Sequence, residues 1–253
     1  MTMTDPVRSV PSPRRAALDR ETAMRLATTE YRRYRDQLRA LEPGDWSRPT
    51  DCPAWDVRAT ATHNLGMARM VTSTRELVRQ NAKAARRGSG VDFLTALQVD
   101  EGAHLRPDEI VAAYTAVVEP AARGRRRRAA TLGRLPMPTP QPLNGAAERW
   151  TFGFLFDVIL TRDTWMHRVD TAEATGKELE LTADHDGVLV ADVVAEWAGR
   201  HGLPFSLTLT GPAGGSFSRG SDGTEIELDA VEYCRILSGR APGNGLLGTE
   251  VPF

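Results

Sequence analysis

The stretch at residues 150–176, "WTFGFLFDVILTRDTWMHRVDTAEATG", constrains the fold of this chain more than any other. An apolar run passes without interruption into Asp163, His167 and Asp170, and Gly176 follows as a natural helix stop. On a helix, positions 163 and 167 lie one turn apart on the same face, with Asp170 within reach of His167. Their neighbours are Phe, Ile and Leu, so this face points inward. A charge placed there is costly unless it is paired or coordinates something. The segment therefore predicts a helix enclosed by other helices, with a polar cluster at its centre.

The rest of the chain supplies those helices. Residues 16–41 carry Tyr31, Tyr34, Leu38 and Leu41 at helical spacing, and "EPGDW" stops them. The loop "SRPTDCPAW" leads to Asp56, a good N-cap residue. The helix it opens reads as one rod to the "GSG" near residue 89, with Ala59, His63, Met67 and Met70 down one side. A third helix starts at Pro107 and runs through Ile110, Tyr114 and Val117 to an arginine-rich end. "LPMPTPQP" is a loop, and the fourth helix is expected over residues 146–174. Four long helices joined by loops read as a four-helix bundle.

Beyond residue 183 the pattern changes. "GVLVADVVAEWAGRHG" is an amphipathic helix, "PFSLTLTG" alternates as a strand does, and "GPAGGSFSRGSDGT" supplies turns. "TEIEL" is a second short strand, "DAVEYCRILSGR" a short Asp-capped helix, and "TEVPF" a candidate closing strand. The expected fold is mainly α: residues 1–14 a flexible tail, 15–182 the bundle, and 183–253 a small α+β unit.

Composition narrows the function classes. At 253 residues with 41% hydrophobic and 26% charged content, the chain is an ordinary soluble globular protein. A formal net charge of −1 provides no field to draw in nucleic acid or a membrane surface. The run "RGRRRR" at residues 123–128 has no interleaved aromatic residue and reads as a solvated helix end. Two distant cysteines, Cys52 and Cys234, suit a reducing compartment. The N-terminus lacks the apolar core of a secretory signal, and no run is long enough to span a membrane. A cytoplasmic monomer or homodimer is expected.

His63 belongs to a different helix from Asp163 and His167. In bundles, metal sites are assembled from inward side chains on facing helices. Two imidazoles and a carboxylate would leave a coordination position open, as catalytic zinc sites do. Spacing alone leaves open that each histidine is an ordinary core or surface residue.

The residues that carry a resemblance are "TDCPAWDVRATATHNL" and "RDTWMHRVDTAEATG". Together they resemble the mycothiol-dependent maleylpyruvate isomerase family, within the DinB-like superfamily of metal-binding four-helix bundles. Pro49, Thr50, Cys52, Pro53, Trp55 and His63 match its first motif; Asp163, His167, Asp170 and Gly176 match its second. "LDAVEYCRILSGRAPGNGL" resembles the family's small C-terminal domain, which is SCP2-like. Ala54 stands where the family commonly has Gly, and Asp163 where the characterised isomerase has Glu. The resemblance implies His63, Asp163 and His167 as ligands of Zn2+ or another divalent metal, mycothiol as thiol cofactor, and Arg240 as a catalytic arginine. It also implies a cleft between bundle and C-terminal unit as the site. Coordination deprotonates a thiol, and the thiolate is the nucleophile. Added to an electron-poor double bond conjugated to a carbonyl, it would permit rotation and elimination, a cis–trans isomerisation. Without elimination the same step is S-transfer to an electrophile. A non-catalytic metal- or ligand-binding module is the alternative of another class.

Several residues have plainer readings. Asp170 either orients the His167 imidazole or pairs with Arg168 or Arg162. Cys52 reads as a buried small hydrophobe. Trp55, Trp150 and Trp165 read as packing residues, and His104, His185 and His201 as surface histidines.

Overall fold

A computed structural model describes residues 12–88 and 90–253. The expected tail falls largely outside the described residues. Arg14 is anchored: its backbone bridges Trp150, and its side chain pairs with Glu148 at 2.5 Å.

Helix α1 (Arg20–Arg39) begins one residue after Asp19, whose carboxylate accepts the Thr22 N–H. Asp56 caps α2 (Val57–Met70) in the same way through the Ala59 N–H. The single rod expected from there to residue 87 is two helices. Ser73 accepts the Glu76 N–H and opens α3 (Thr74–Ala85). The Val71 carbonyl, left free at the break, accepts from Arg128. Gly124 allows that approach, because a Cβ there would lie 2.0 Å from the Val71 oxygen. Helix α4 (Val91–Gly102), an element beyond the four expected bundle helices, packs on α2 and α3. Helix α5 (Pro107–Leu132) starts at its proline as expected.

Residues 146–150 are not helical. β1 (Gln141–Leu143) and β2 (Ala146–Glu148) form a hairpin around Asn144 and Gly145, both at positive φ. The helix begins only with the turn α6 (Phe152–Phe154). It passes through a π-helical turn at Leu155–Ile159 and continues as α7 (Leu160–Thr175), which ends on left-handed Gly176.

The π turn explains the arginine-rich run. Arg125 donates to the Phe156 carbonyl and to the Thr161 hydroxyl, and is 0% exposed. Arg128 is buried as well. The expected solvated end is therefore solvated only at Arg123, Arg126 and Arg127.

Helices α1, α2, α5 and α7 close the bundle around Tyr34, Leu38, Leu65, Tyr114, Val118 and Leu160. Beyond it, α8 (Val188–His201) precedes β3 (Phe205–Thr210), β4 (Gly215–Arg219) and β5 (Thr224–Asp229). The sheet order is β4-β3-β5, with β3 antiparallel to β4 and parallel to β5. The segment read as turns thus contains β4, and "TEVPF" forms no strand. Helix α9 (Ala230–Leu237) is capped by Asp229. Trp165, Met166 and Val169 of α7 join Val193, Trp197, Leu207 and Tyr233 in this second core. No helix among the described residues is long and apolar enough to cross a membrane.

A buried ion network ties the halves together. Arg168 donates to Glu30 and Asp186 at 2.7 Å each, and Arg33 reaches Asp186 at 2.6 Å. His185, expected at the surface, is buried with its Nε2 2.7 Å from Glu30. Burial alone would raise the Asp186 pKa, but Arg168, the Thr182 N–H and Trp165 outweigh it and hold it low. Breaking one side of a buried pair costs about 3–5 kcal/mol. Asp186→Asn should lower the midpoint of chemical unfolding by about 3 kcal/mol in equivalent free energy. The Asp186 contribution is complete above the ordinary carboxylate value of about 4 and is lost as pH falls through its lower folded value. Midpoints measured on acidification should therefore drop more steeply for the native chain than for the variant.

Candidate active site

The loop before α2 is a closed turn. The Thr50 hydroxyl donates to the Trp55 carbonyl at 2.9 Å and accepts the Cys52 N–H, while Trp55 N–H returns to the Cys52 carbonyl. This places Trp55 over two imidazoles, its ring centroid 4.9 Å from that of His63 and 5.7 Å from that of His167. Its packing is thus against the polar cluster itself. Trp150 and Trp165 are buried as expected.

The structure brings His63 on α2 together with Asp163 and His167 on α7. The Nε2 atoms of both histidines lie 3.5 Å from the same oxygen, Asp163 Oδ1. One ligand atom from each residue lies within 4.8 Å of the others. The shorter aspartate still reaches both rings. Each imidazole is fixed from its far side: His167 Nδ1 is 2.9 Å from Asp170 Oδ2, and His63 Nδ1 is 2.9 Å from Gln98 Oε1.

Asp170 pairs with neither Arg168 nor Arg162. Arg240, following α9, donates to it through Nε at 2.5 Å and Nη2 at 2.8 Å. Cys52 Sγ sits 3.7 Å from Asp170 Oδ2 and 3.6 Å from Arg240 Nη2. Half-buried among charged groups, Cys52 is not the buried hydrophobe its sequence context suggested. Arg235 of α9 adds a 2.8 Å pair with Asp51 in the same loop. The C-terminal segment therefore meets the bundle at this cluster.

Burial opposes charge throughout, yet mutual pairing prevails. Burial would raise Asp163, but the two histidines hold its carboxyl well below the usual range. Burial would lower His167; hydrogen bonds that it makes to Asp163, Asp170 and Cys52 raise it well above ordinary histidine. Asp170 is depressed against burial by His167 and Arg240. An anionic carboxylate thus sits between two imidazoles.

Among the described residues, two other groups converge enough to hold a cation, Cys52–His167–Asp170 and Glu30–His185–Asp186. Their carboxylates are already bonded to arginines. Asp163 differs. Its Oδ2 is buried with no hydrogen-bond partner.

A helical bundle bearing an inward His–carboxylate–His cluster and followed by a small sheet defines the class. The family model for the mycothiol maleylpyruvate isomerase N-terminal domain matches residues 27–172, more than half of the chain. The chain belongs to that family. Among solved structures, the mycothiol-dependent maleylpyruvate isomerase matches with TM-score 0.57 at 16% identity, covering 88% of this chain and 90% of that one. A histidine-to-alanine mutant of a mycothiol-dependent maleylpyruvate isomerase matches with TM-score 0.53 at 15% identity over the same shares. At such identities the likeness is one of fold. A search of curated proteins finds no significant match.

The two thiols differ in a way that can be counted. Burial pushes the Cys234 thiol well up, and it is 0% exposed, whereas Cys52 is half-buried beside an arginine. A disulfide reagent should therefore titrate one thiol in the folded protein and two in denaturant, and Cys52→Ser should abolish the native-state reaction.

Proposed function

We propose that the chain is a zinc- and mycothiol-dependent enzyme acting on an electrophilic unsaturated carbonyl or carboxylate compound, by cis–trans isomerisation. His63 and His167 through Nε2, with Asp163, would hold the metal. The observation that carries this reading is the orphaned Asp163 Oδ2 beside two imidazole nitrogens that converge on the same carboxylate. Buried carboxylate oxygens are rarely left unpartnered, and this donor set suits zinc. When bound, the metal makes a thiol acidic, and the thiol supplies the nucleophile for a conjugated double bond.

The protein groups have separate tasks. Asp170 holds the His167 ring through Nδ1. Trp55 covers both imidazoles and limits access of water. Arg240, inferred from the resemblance as catalytic, is held beside the cluster by Asp170, a cation at the edge of the site for an anionic substrate group. Residues 15–182 would then act as the metal-holding domain and 183–253 as the domain that delivers Arg240. Two unpaired thiols suit a reducing, cytoplasmic setting.

Purified protein should contain close to one zinc per chain, and the paired change His63→Ala with His167→Ala should remove it. Full metal retention by that variant would sink the site. Zinc affinity should fall on acidification, because His167 must surrender its proton to coordinate. Incubation with mycothiol and a panel of cis-enoates should give trans product with the thiol regenerated. A stable thiol adduct would instead mark an S-transferase, and silence across the panel a non-catalytic module.

A further inference from the structure

Behind His63 lies a run of amide side chains whose direction is fixed at its far end. Gln80 Nε2 is 3.0 Å from the Gly66 carbonyl and 2.9 Å from Glu76 Oε1. Both are acceptors. The Glu76 carboxylate is kept ionised by Arg79, which holds its pKa low. The amino group of Gln80 must therefore face them, and its Oε1 faces Gln98. Gln98 responds with its own amino group, 2.9 Å from Gln80 Oε1 and 3.1 Å from the Met67 sulfur, which also accepts. That leaves Gln98 Oε1 directed at His63 Nδ1, 2.9 Å away. An oxygen and an unprotonated ring nitrogen would meet lone pair to lone pair, so Nδ1 carries the hydrogen.

Gln80, Gln98 and His63 are each at most 2% exposed, so water offers no alternative partner. Gly66 and Gly102 make the arrangement possible. A Cβ at 66 would lie 2.6 Å from the Gln98 side chain, and one at 102 would lie 2.5 Å from Thr62. Helix α4 therefore reaches α2 closely enough to bring Gln98 against the back of the histidine.

We infer that Gln98 is a positioning residue for His63: it keeps a proton on Nδ1, so that Nε2, which faces Asp163, is the nitrogen a metal would take. Its consequence for metal binding rests on the proposed zinc site; the tautomer itself does not. Without the Gln98 oxygen, Asp163 Oδ1 is the acceptor at hand and draws the proton to Nε2, the atom coordination requires bare. Partners of this kind change metal affinity by about 10- to 100-fold.

The test uses the full chain, selectively 15N-labelled at histidine, without metal and at mildly alkaline pH. Long-range proton–nitrogen spectra should show His63 Nδ1 protonated. A spectrum with Nδ1 unprotonated overturns the inference, whatever the metal does. Zinc dissociation constants by chelator competition should then weaken about 10-fold or more in Gln98→Leu and less in Gln80→Leu, in which Gln98 keeps its oxygen but loses its orienting partner. Equal affinity in Gln98→Leu and native protein also overturns it. If native protein binds no zinc, the proposed metal site fails while the wild-type spectrum still decides the tautomer. If Gln98→Leu does not fold, that spectrum decides as well.

Discussion

Helix α7 has no outward face. Thirteen of its sixteen residues are buried, because one side completes the bundle and the other completes the core beneath the sheet. Each buried ionised group it carries must find its counter-charge within the protein. Arg162 has Asp192 and Glu196, Arg168 has Glu30 and Asp186, and Asp170 has Arg240. Asp163 meets only two imidazoles and keeps an oxygen without a partner. The candidate site is thus where a buried carboxylate of α7 has no arginine for a partner.

That constraint explains the sequence pattern that first draws notice. The polar residues of "TRDTWMHRVD" do not form the solvated stripe of an amphipathic helix; they point in every direction, toward partners brought from α1, α2, α8 and the segment after α9. Periodicity found the helices because tyrosine and leucine spacing reflects one local geometry. The His63, Asp163 and His167 trio was legible through two short motifs on separate helices.

What escaped sequence reading has local or long-range causes. The break between α2 and α3 depends on a Ser73 cap and on Arg128, more than fifty residues away. The Asn144–Gly145 pair is a hairpin signal that a proline-spaced neighbourhood obscured. Arg125 turns inward because the π turn releases a carbonyl for it, which composition cannot reveal. His185 is buried because Glu30, 155 positions earlier, is its partner. Gln98 carries no motif; it becomes visible only through glycines on two helices that let them touch.

The double membership of α7 also bears on how the chain is made. Trp165, Met166 and Val169 leave the ribosome long before Trp197, Leu207 and Tyr233, which cover them. During that interval the nascent bundle presents an uncovered apolar seam, the kind of surface that attracts chaperones or neighbouring chains.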